Sequence, residues 1–258
     1  MPADRASLTL VTVPCLQDNY AFLLHDPATG ETALVDAPEA GPIRAELDRR
    51  GWRLGTILIT HHHDDHIQGV AALRDGARVI GNAADAHRLP PLDLAVTPGQ
   101  TLQICGEEVE VLDTPGHTVG HISYHFPRSA LAFTADTLMA LGCGRLFEGT
   151  AEQMWASLLR LRSLPPHTLI CSGHEYTQSN ARFALTVDPD NSALQQRAEA
   201  VRQARERGQP TVPSRLSEEL ATNPFLRADL PGMKARMGME GATDAAVFAA
   251  IRAAKDRF

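Results

Sequence analysis

Thr56-Ile57-Leu58-Ile59-Thr60-His61-His62-His63-Asp64-Asp65-His66 is the stretch around which the rest of the chain is organised. Thr56 to Ile59 is a short β-branched run of the kind that forms a buried strand. Four of the eleven histidines and two aspartates follow it directly. Gly69 and then Val70-Ala71-Ala72-Leu73 come next, and the pattern over 67–75 predicts a helix. The cluster therefore sits on a loop at a strand end, where a rigid scaffold presents chemistry. In an extended segment alternate side chains point the same way, so His61, His63 and Asp65 face one side. His66 swings in as the chain turns into the helix, while His62 and Asp64 point away. A lone histidine is more often a satisfied polar residue than a ligand. Imidazoles and a carboxylate in His-x-His-x-Asp-His order form a transition-metal ligand set.

Outward from this loop, strand patterns run from Ser7 to Val13, Tyr20 to Leu24 and Thr32 to Val35, separated by Pro, Gly and Asp turns. A helix pattern covers Ile43 to Arg50 and stops at Gly51. Beyond the cluster, strands are predicted at Arg78–Ile80, Thr101–Ile104, Glu108–Leu112, His121–Phe126 and Ala130–Thr134. A helix over Ala151–Leu164 has Thr150 as its N-cap, and Thr168–Cys171 is a further strand. After Gly173-His174-Glu175 the pattern is helical almost to the end. Interleaved strands and helices followed by helices alone predict an α/β sandwich with a helical appendage.

Three more polar residues follow predicted strands: His117 in Thr114-Pro115-Gly116-His117-Thr118, Asp136 in Ala135-Asp136-Thr137, and His174 in Ser172-Gly173-His174. Singly, such residues are often turn formers. Four strand ends meeting at one sheet edge are better read as a metal site. Seven ligands exceed what one tetrahedral ion takes. They divide into His61, His63 and His117 for one ion and Asp65, His66 and His174 for another, with Asp136 bridging. Two ions about 3.5–4 Å apart can acidify a shared water and clamp a reacting oxygen.

The 258 residues allow one large domain or two modest ones, and 43% apolar residues suffice for a core. No apolar run approaches the ~20 residues of a membrane span, and the polar N-terminus carries no signal-peptide pattern. Cys15, Cys105, Cys143 and Cys171 are scattered, which fits reduced thiols in a cytoplasm. The net charge is −7, and nothing in the sequence resembles the basic stripe of a nucleic-acid binder. The charge is uneven: residues 1–189 hold 13 basic and 22 acidic side chains, residues 190–258 hold 11 and 9. An anionic small molecule is better tolerated at the C-terminal part. No Gly-x-Ser-x-Gly elbow occurs, so a serine triad is unsupported.

The set Thr60–His66, Thr114–Thr118, Asp136 and Gly173-His174 resembles the metallo-β-lactamase superfamily. A narrower resemblance rests on Pro14–Tyr20, Gly142–Thr150, Cys171–Thr177, Asn223-Pro224-Phe225-Leu226-Arg227 and the ending Arg252-Ala253-Ala254-Lys255-Asp256-Arg257-Phe258. These are similar to glyoxalase II, the hydroxyacylglutathione hydrolases. The resemblance implies an αββα sandwich over residues 1–174 and a C-terminal helical, glutathione-binding domain over 175–258. It implies hydrolysis of S-lactoylglutathione to D-lactate and glutathione in methylglyoxal detoxification, by attack of a hydroxide shared between two divalent ions. Asp65 and Asp136 are then catalytic through the metals. Zinc is the first expectation, and iron and manganese suit the same donors. The leaving thiolate, of pKa about 8.5, needs no strong general acid.

By the same resemblance Arg145, Phe147, His174, Tyr176, Arg252 and Lys255 contact the substrate. Arg252 and Lys255 are i and i+3 on a helix and suit a glycine carboxylate. The family often has Lys where Arg145 stands and Tyr where Phe147 stands; Arg changes the geometry, and Phe lacks a hydroxyl. The chain is expected to be a cytoplasmic monomer, without nucleic-acid or membrane partners. A persulfide dioxygenase would use one iron; the complete second ligand set opposes it. A β-lactamase or lactonase has little need of the Arg252 and Lys255 face, and a non-catalytic binding protein should have lost ligands.

Overall fold

A computed structural model describes residues 8–258. Three antiparallel strands lead: β1 (Thr9–Cys15), β2 (Asn19–His25) and β3 (Thr32–Val35). Ser7, expected to begin the first of them, lies outside the described residues. β2 is buried along nearly all its length, which is why Tyr20-Ala21-Phe22-Leu23-Leu24 is continuously apolar rather than alternating. α1 (Ala40–Arg50) ends at Gly51, whose φ of 67° is the left-handed cap that glycine adopts without strain. Then come β4 (Thr56–Leu58), α2 (Asp64–Ile67), α3 (Val70–Leu73), β5 (Arg78–Asn82) and β6 (Leu94–Val96). β1 to β6 form one sheet in sequence order, parallel from β3 onward. On its outer face Ile43 and Leu47 of α1, with Val70 and Leu73 of α3, pack on Leu23, Leu34, Ile57 and Val79.

The single helix expected over 67–75 is two short ones. Gly69 lies between them and donates its N–H to the Ala37 carbonyl at 2.8 Å. A Cβ at Gly69 would stand 2.8 Å from that same oxygen. The backbone approaches so closely here that only glycine fits, and the helical run breaks at the contact.

β7 (Thr101–Ile104), β8 (Glu107–Asp113), β9 (Ile122–Phe126) and β10 (Leu131–Ala135) form an antiparallel meander. The chain separates into two compact units, and the division passes through β10. In the first unit, up to Asp113 and Gly120–Phe133, the two sheets face each other across an aromatic layer. Phe133 meets Phe22 edge-on at 5.5 Å and Phe126 at 5.4 Å. Tyr124 Oη donates to the Ile59 carbonyl at 2.9 Å.

The second unit comprises Thr114–Val119 and Thr134–Phe258. Its elements are β11 (Leu138–Met139), β12 (Gly142–Cys143), α4 (Ala151–Arg162), β13 (Leu169–Ser172), α5 (Thr177–Val187), α6 (Ser192–Glu206), β14 (Ser214–Arg215), α7 (Leu216–Thr222), α8 (Pro231–Arg236) and α9 (Asp244–Asp256). α4 starts on the expected cap: Thr150 Oγ1 accepts from Gln153 N–H while the Gln153 side chain accepts from Thr150 N–H. Residues beyond 174 are not helices alone, because β14 pairs antiparallel with β13. A two-residue strand carries no period for sequence to display. The mixed α/β sheets and the mainly helical C-terminal region are those the sequence predicts.

Candidate metal centre

Two histidines of the first unit's loop owe their orientation to Asp36 and Thr60. The Asp36 carboxylate accepts from Thr60 N–H at 2.9 Å, from Thr60 Oγ1 at 2.8 Å and from His66 Nδ1 at 2.8 Å. His66 therefore carries its proton on Nδ1, and its Nε2 is the metal-competent lone pair. Thr60 has given its single proton to Asp36, so its oxygen accepts from His61 Nδ1 at 3.0 Å. That fixes the lone pair of His61 on Nε2, which lies 3.1 Å from His63 Nδ1. Asp65 Oδ2 stands 3.9 Å from His66 Nε2 and accepts from Asn19 Nδ2 at 3.0 Å.

Asp65 reaches this side from the first turn of α2 rather than by strand alternation, because the helix begins at Asp64. His62 points away as expected. It lies 3.3 Å from Asp85 Oδ2 and accepts from Arg88 Nη1 at 3.3 Å. Asp64 is exposed at the helix start, a favourable place for an acid.

The second unit supplies His117, Asp136 and His174. His117 Nδ1 donates to the Arg145 carbonyl at 2.8 Å, which leaves a lone pair on Nε2. That Nε2 lies 3.3 Å from Asp136 Oδ2, and His174 Nε2 lies 3.4 Å from the same oxygen. A neutral imidazole lone pair facing a carboxylate oxygen repels it unless a cation completes the contact. These residues therefore fit a divalent ion on their own chemistry. Gly144 lets the backbone come this close: a Cβ there would stand 2.0 Å from the Asp136 carbonyl.

Cysteine is not an alternative nucleophile. All four thiols are free and buried. Burial pushes Cys15 and Cys143 up to about 11 and Cys105 to about 12, so none supplies thiolate near neutral pH.

Residues 17–174 match the metallo-β-lactamase superfamily model, and residues 175–258 match the model described as the hydroxyacylglutathione hydrolase C-terminus. A hydroxyacylglutathione hydrolase of Ruegeria pomeroyi is 65% identical over 253 residues, covering 97% of this chain and 99% of that protein. The chain belongs to the hydroxyacylglutathione hydrolase family. Among solved structures, ETHE1 from Myxococcus xanthus aligns with a TM-score of 0.65 at 25% identity, over 97% of this chain and 98% of that one. The protein TTHA1623, in a di-iron-bound form, aligns at 0.54 and 28% identity, over 64% and 91%.

In this member of the hydroxyacylglutathione hydrolases two rings lie against histidines of the second unit. Tyr176 stacks on His174 at 4.7 Å, and Phe147 meets His117 at 5.2 Å. Phe147 is 62% exposed, so it is no core residue of its loop. Arg145 is exposed and its Nε lies 3.7 Å from Asp256 Oδ1. Arg252 differs from the expectation of a presented cation. It is 6% exposed, its Nη1 donates to the Cys143 carbonyl at 2.7 Å, and its Nη2 donates to Asp256 at 3.0 Å. Asn223 Nδ2 donates to the Met139 and Gly142 carbonyls at 3.2 and 3.0 Å. Arg252 and Asn223 thus brace the β11–β12 hairpin that leads into Gly144 and Arg145. Lys255 is the cation that α9 leaves partly open, with Nζ 3.2 Å from Ser179 Oγ.

Proposed function

We propose that this chain hydrolyses S-lactoylglutathione and related 2-hydroxyacyl glutathione thioesters to a 2-hydroxy acid and glutathione, with two divalent ions shared among His61, His63, His117, Asp65, His66, His174 and Asp136. The near-full-length likeness to the Ruegeria pomeroyi hydrolase carries the reading, because it includes the C-terminal residues that a glutathione moiety needs. Seven donors exceed one tetrahedral ion, and a related protein is known with two irons. Zinc is the first choice; iron and manganese suit the same donors. Bound ions would lower the pKa of water toward about 7 and offer a positive centre to the thioester oxygen.

The chain's own residues do the remaining work. Asp36 and Thr60 hold the tautomers of His66 and His61, and the Arg145 carbonyl holds that of His117. Lys255 attracts a peptide carboxylate, the Arg145 guanidinium adds positive charge near it, and Arg252 braces the hairpin that leads to Arg145. Phe147 and Tyr176 offer exposed ring faces to the thioester stem. The glutathione thiolate leaves unaided. Residues 1–174 then carry the metal chemistry, and residues 175–258, with Arg145 and Phe147, hold the glutathione, in a cytoplasm where glutathione stays reduced.

Steady-state hydrolysis of S-lactoylglutathione beside a β-lactam tests the reading. The thioester should be preferred by about 10⁴-fold in kcat/KM, the discrimination available to a site built around a ligand's polar groups. A preference for the β-lactam, or no thioester hydrolysis, would remove it.

A further inference from the structure

Four cations of the second unit gather around the last turn of α9 with one carboxylate among them. Lys255 Nζ lies 3.2 Å from Ser179 Oγ and 3.3 Å from the Ser179 carbonyl. It also lies over the Phe183 and Phe258 rings at 5.4 and 5.1 Å. Burial, then Arg252, Arg182 and Arg145, hold its ammonium down to about 8, and only Asp256 opposes them. Asp256 is already engaged, by Arg252 at 3.0 Å and by Arg145 at 3.7 Å.

Arg182 stands one helical turn beyond Ser179 on α5, on the same face. It is exposed and makes no hydrogen bond or ion pair among the described residues. It also lines a groove of about 310 Å³ between α5 and α6, whose other arginine, Arg202, is paired with Glu199 and Glu206. Four cations that share one carboxylate repel one another, and a further anion relieves them. A glutathione thioester carries two carboxylates, one on glycine and one on the γ-glutamyl residue.

We propose that Arg182 is a further specificity-determining residue, whose guanidinium takes the second carboxylate of the glutathione thioester while Lys255 takes the first. This rests on the thioesterase reading above. Arg182 lies outside the metal ligands and outside the residues that the family resemblance singled out.

The test is Arg182→Ala in the metal-loaded enzyme. Two substrates are compared: S-lactoylglutathione, and the S-lactoyl thioester of N-acetylcysteinylglycine, which keeps the glycine carboxylate and an acylated cysteine nitrogen but lacks the γ-glutamyl carboxylate. KM for the full thioester should rise about three- to fivefold at low salt, the range of a partly exposed ion pair, with kcat unchanged. The rise should shrink as salt screens the pair. KM for the trimmed thioester should not move. Removing a neighbouring cation should also shift the alkaline rise of KM, set by Lys255, to higher pH. Arg182→Lys should restore most of the affinity. An unchanged KM for the full thioester, or an equal rise for both substrates, overturns the assignment. Wild-type enzyme inert toward both thioesters would instead sink the thioesterase reading, and this proposal with it.

Discussion

Asp136→Asn should lower kcat/KM for S-lactoylglutathione by about 10³-fold, because a metal clamp contributes several kcal/mol of transition-state stabilisation and each 1.36 kcal/mol is tenfold. Asp136 Oδ2 lies 3.3 and 3.4 Å from the Nε2 atoms of His117 and His174, so one carboxylate serves both imidazoles. Asparagine keeps the shape and removes the charge. The fold should survive, since the turn does not depend on this side chain. Thr137 N–H donates to the Thr134 carbonyl at 2.9 Å, Thr134 Oγ1 to Leu138 at 2.7 Å, and Thr137 Oγ1 to Thr114 at 2.9 Å. His62→Ala is the control from the neighbouring loop. Its ring is held by Asp85 and Arg88 away from the ligand side, and the loss there should stay below about tenfold. Equal losses in the two variants would contradict the assigned ligands.

Lys255→Met should raise KM for the glutathione thioester about tenfold with kcat nearly unchanged. A charge-assisted hydrogen bond is worth about 1.5–3 kcal/mol, and a half-buried ammonium should sit at the lower end. Methionine keeps the apolar stem over the Phe183 and Phe258 rings, so the effect isolates the charge. The pH dependence gives a second signature. A lysine held down to about 8 is charged below that pH and neutral above it, whereas an ordinary lysine stays charged to 10.5. Wild-type KM should therefore be flat below about pH 8 and climb above it. Carboxylate binding favours the ammonium, so the enzyme should take up a proton on binding near pH 8. The Lys255→Met variant should show no such climb. A wild-type KM that is flat to pH 9.5 would place the anion contact elsewhere.

Much of the candidate site is legible in sequence because groups that could hold a metal are particular residue types at strand ends. His61, His63 and His66 sit on one loop, and His117, Asp136 and His174 each follow a strand. Asp36 obeys the same rule, standing directly after β3, yet nothing beside it in the chain marks it as part of the site. Only folding brings it to Thr60 and His66. Asn19 at Asp65 and Asp85 at His62 were hidden for the same reason. The partners of Arg252 are not legible in sequence, because helical spacing reveals a shared face and not what that face meets; here it meets the Cys143 carbonyl. The strands β6, β11, β12 and β14, of two or three residues, are shorter than any detectable period. The break at Gly69 depends on the Ala37 carbonyl, thirty-two positions earlier in the chain, which no local pattern encodes.

The most direct test of the central claim is titration of the metal-free protein with zinc while S-lactoylglutathione hydrolysis is followed. Seven donors divided over two ions predict that activity climbs to a plateau at two ions per chain. A plateau at one ion, or full hydrolysis before any is added, would contradict it.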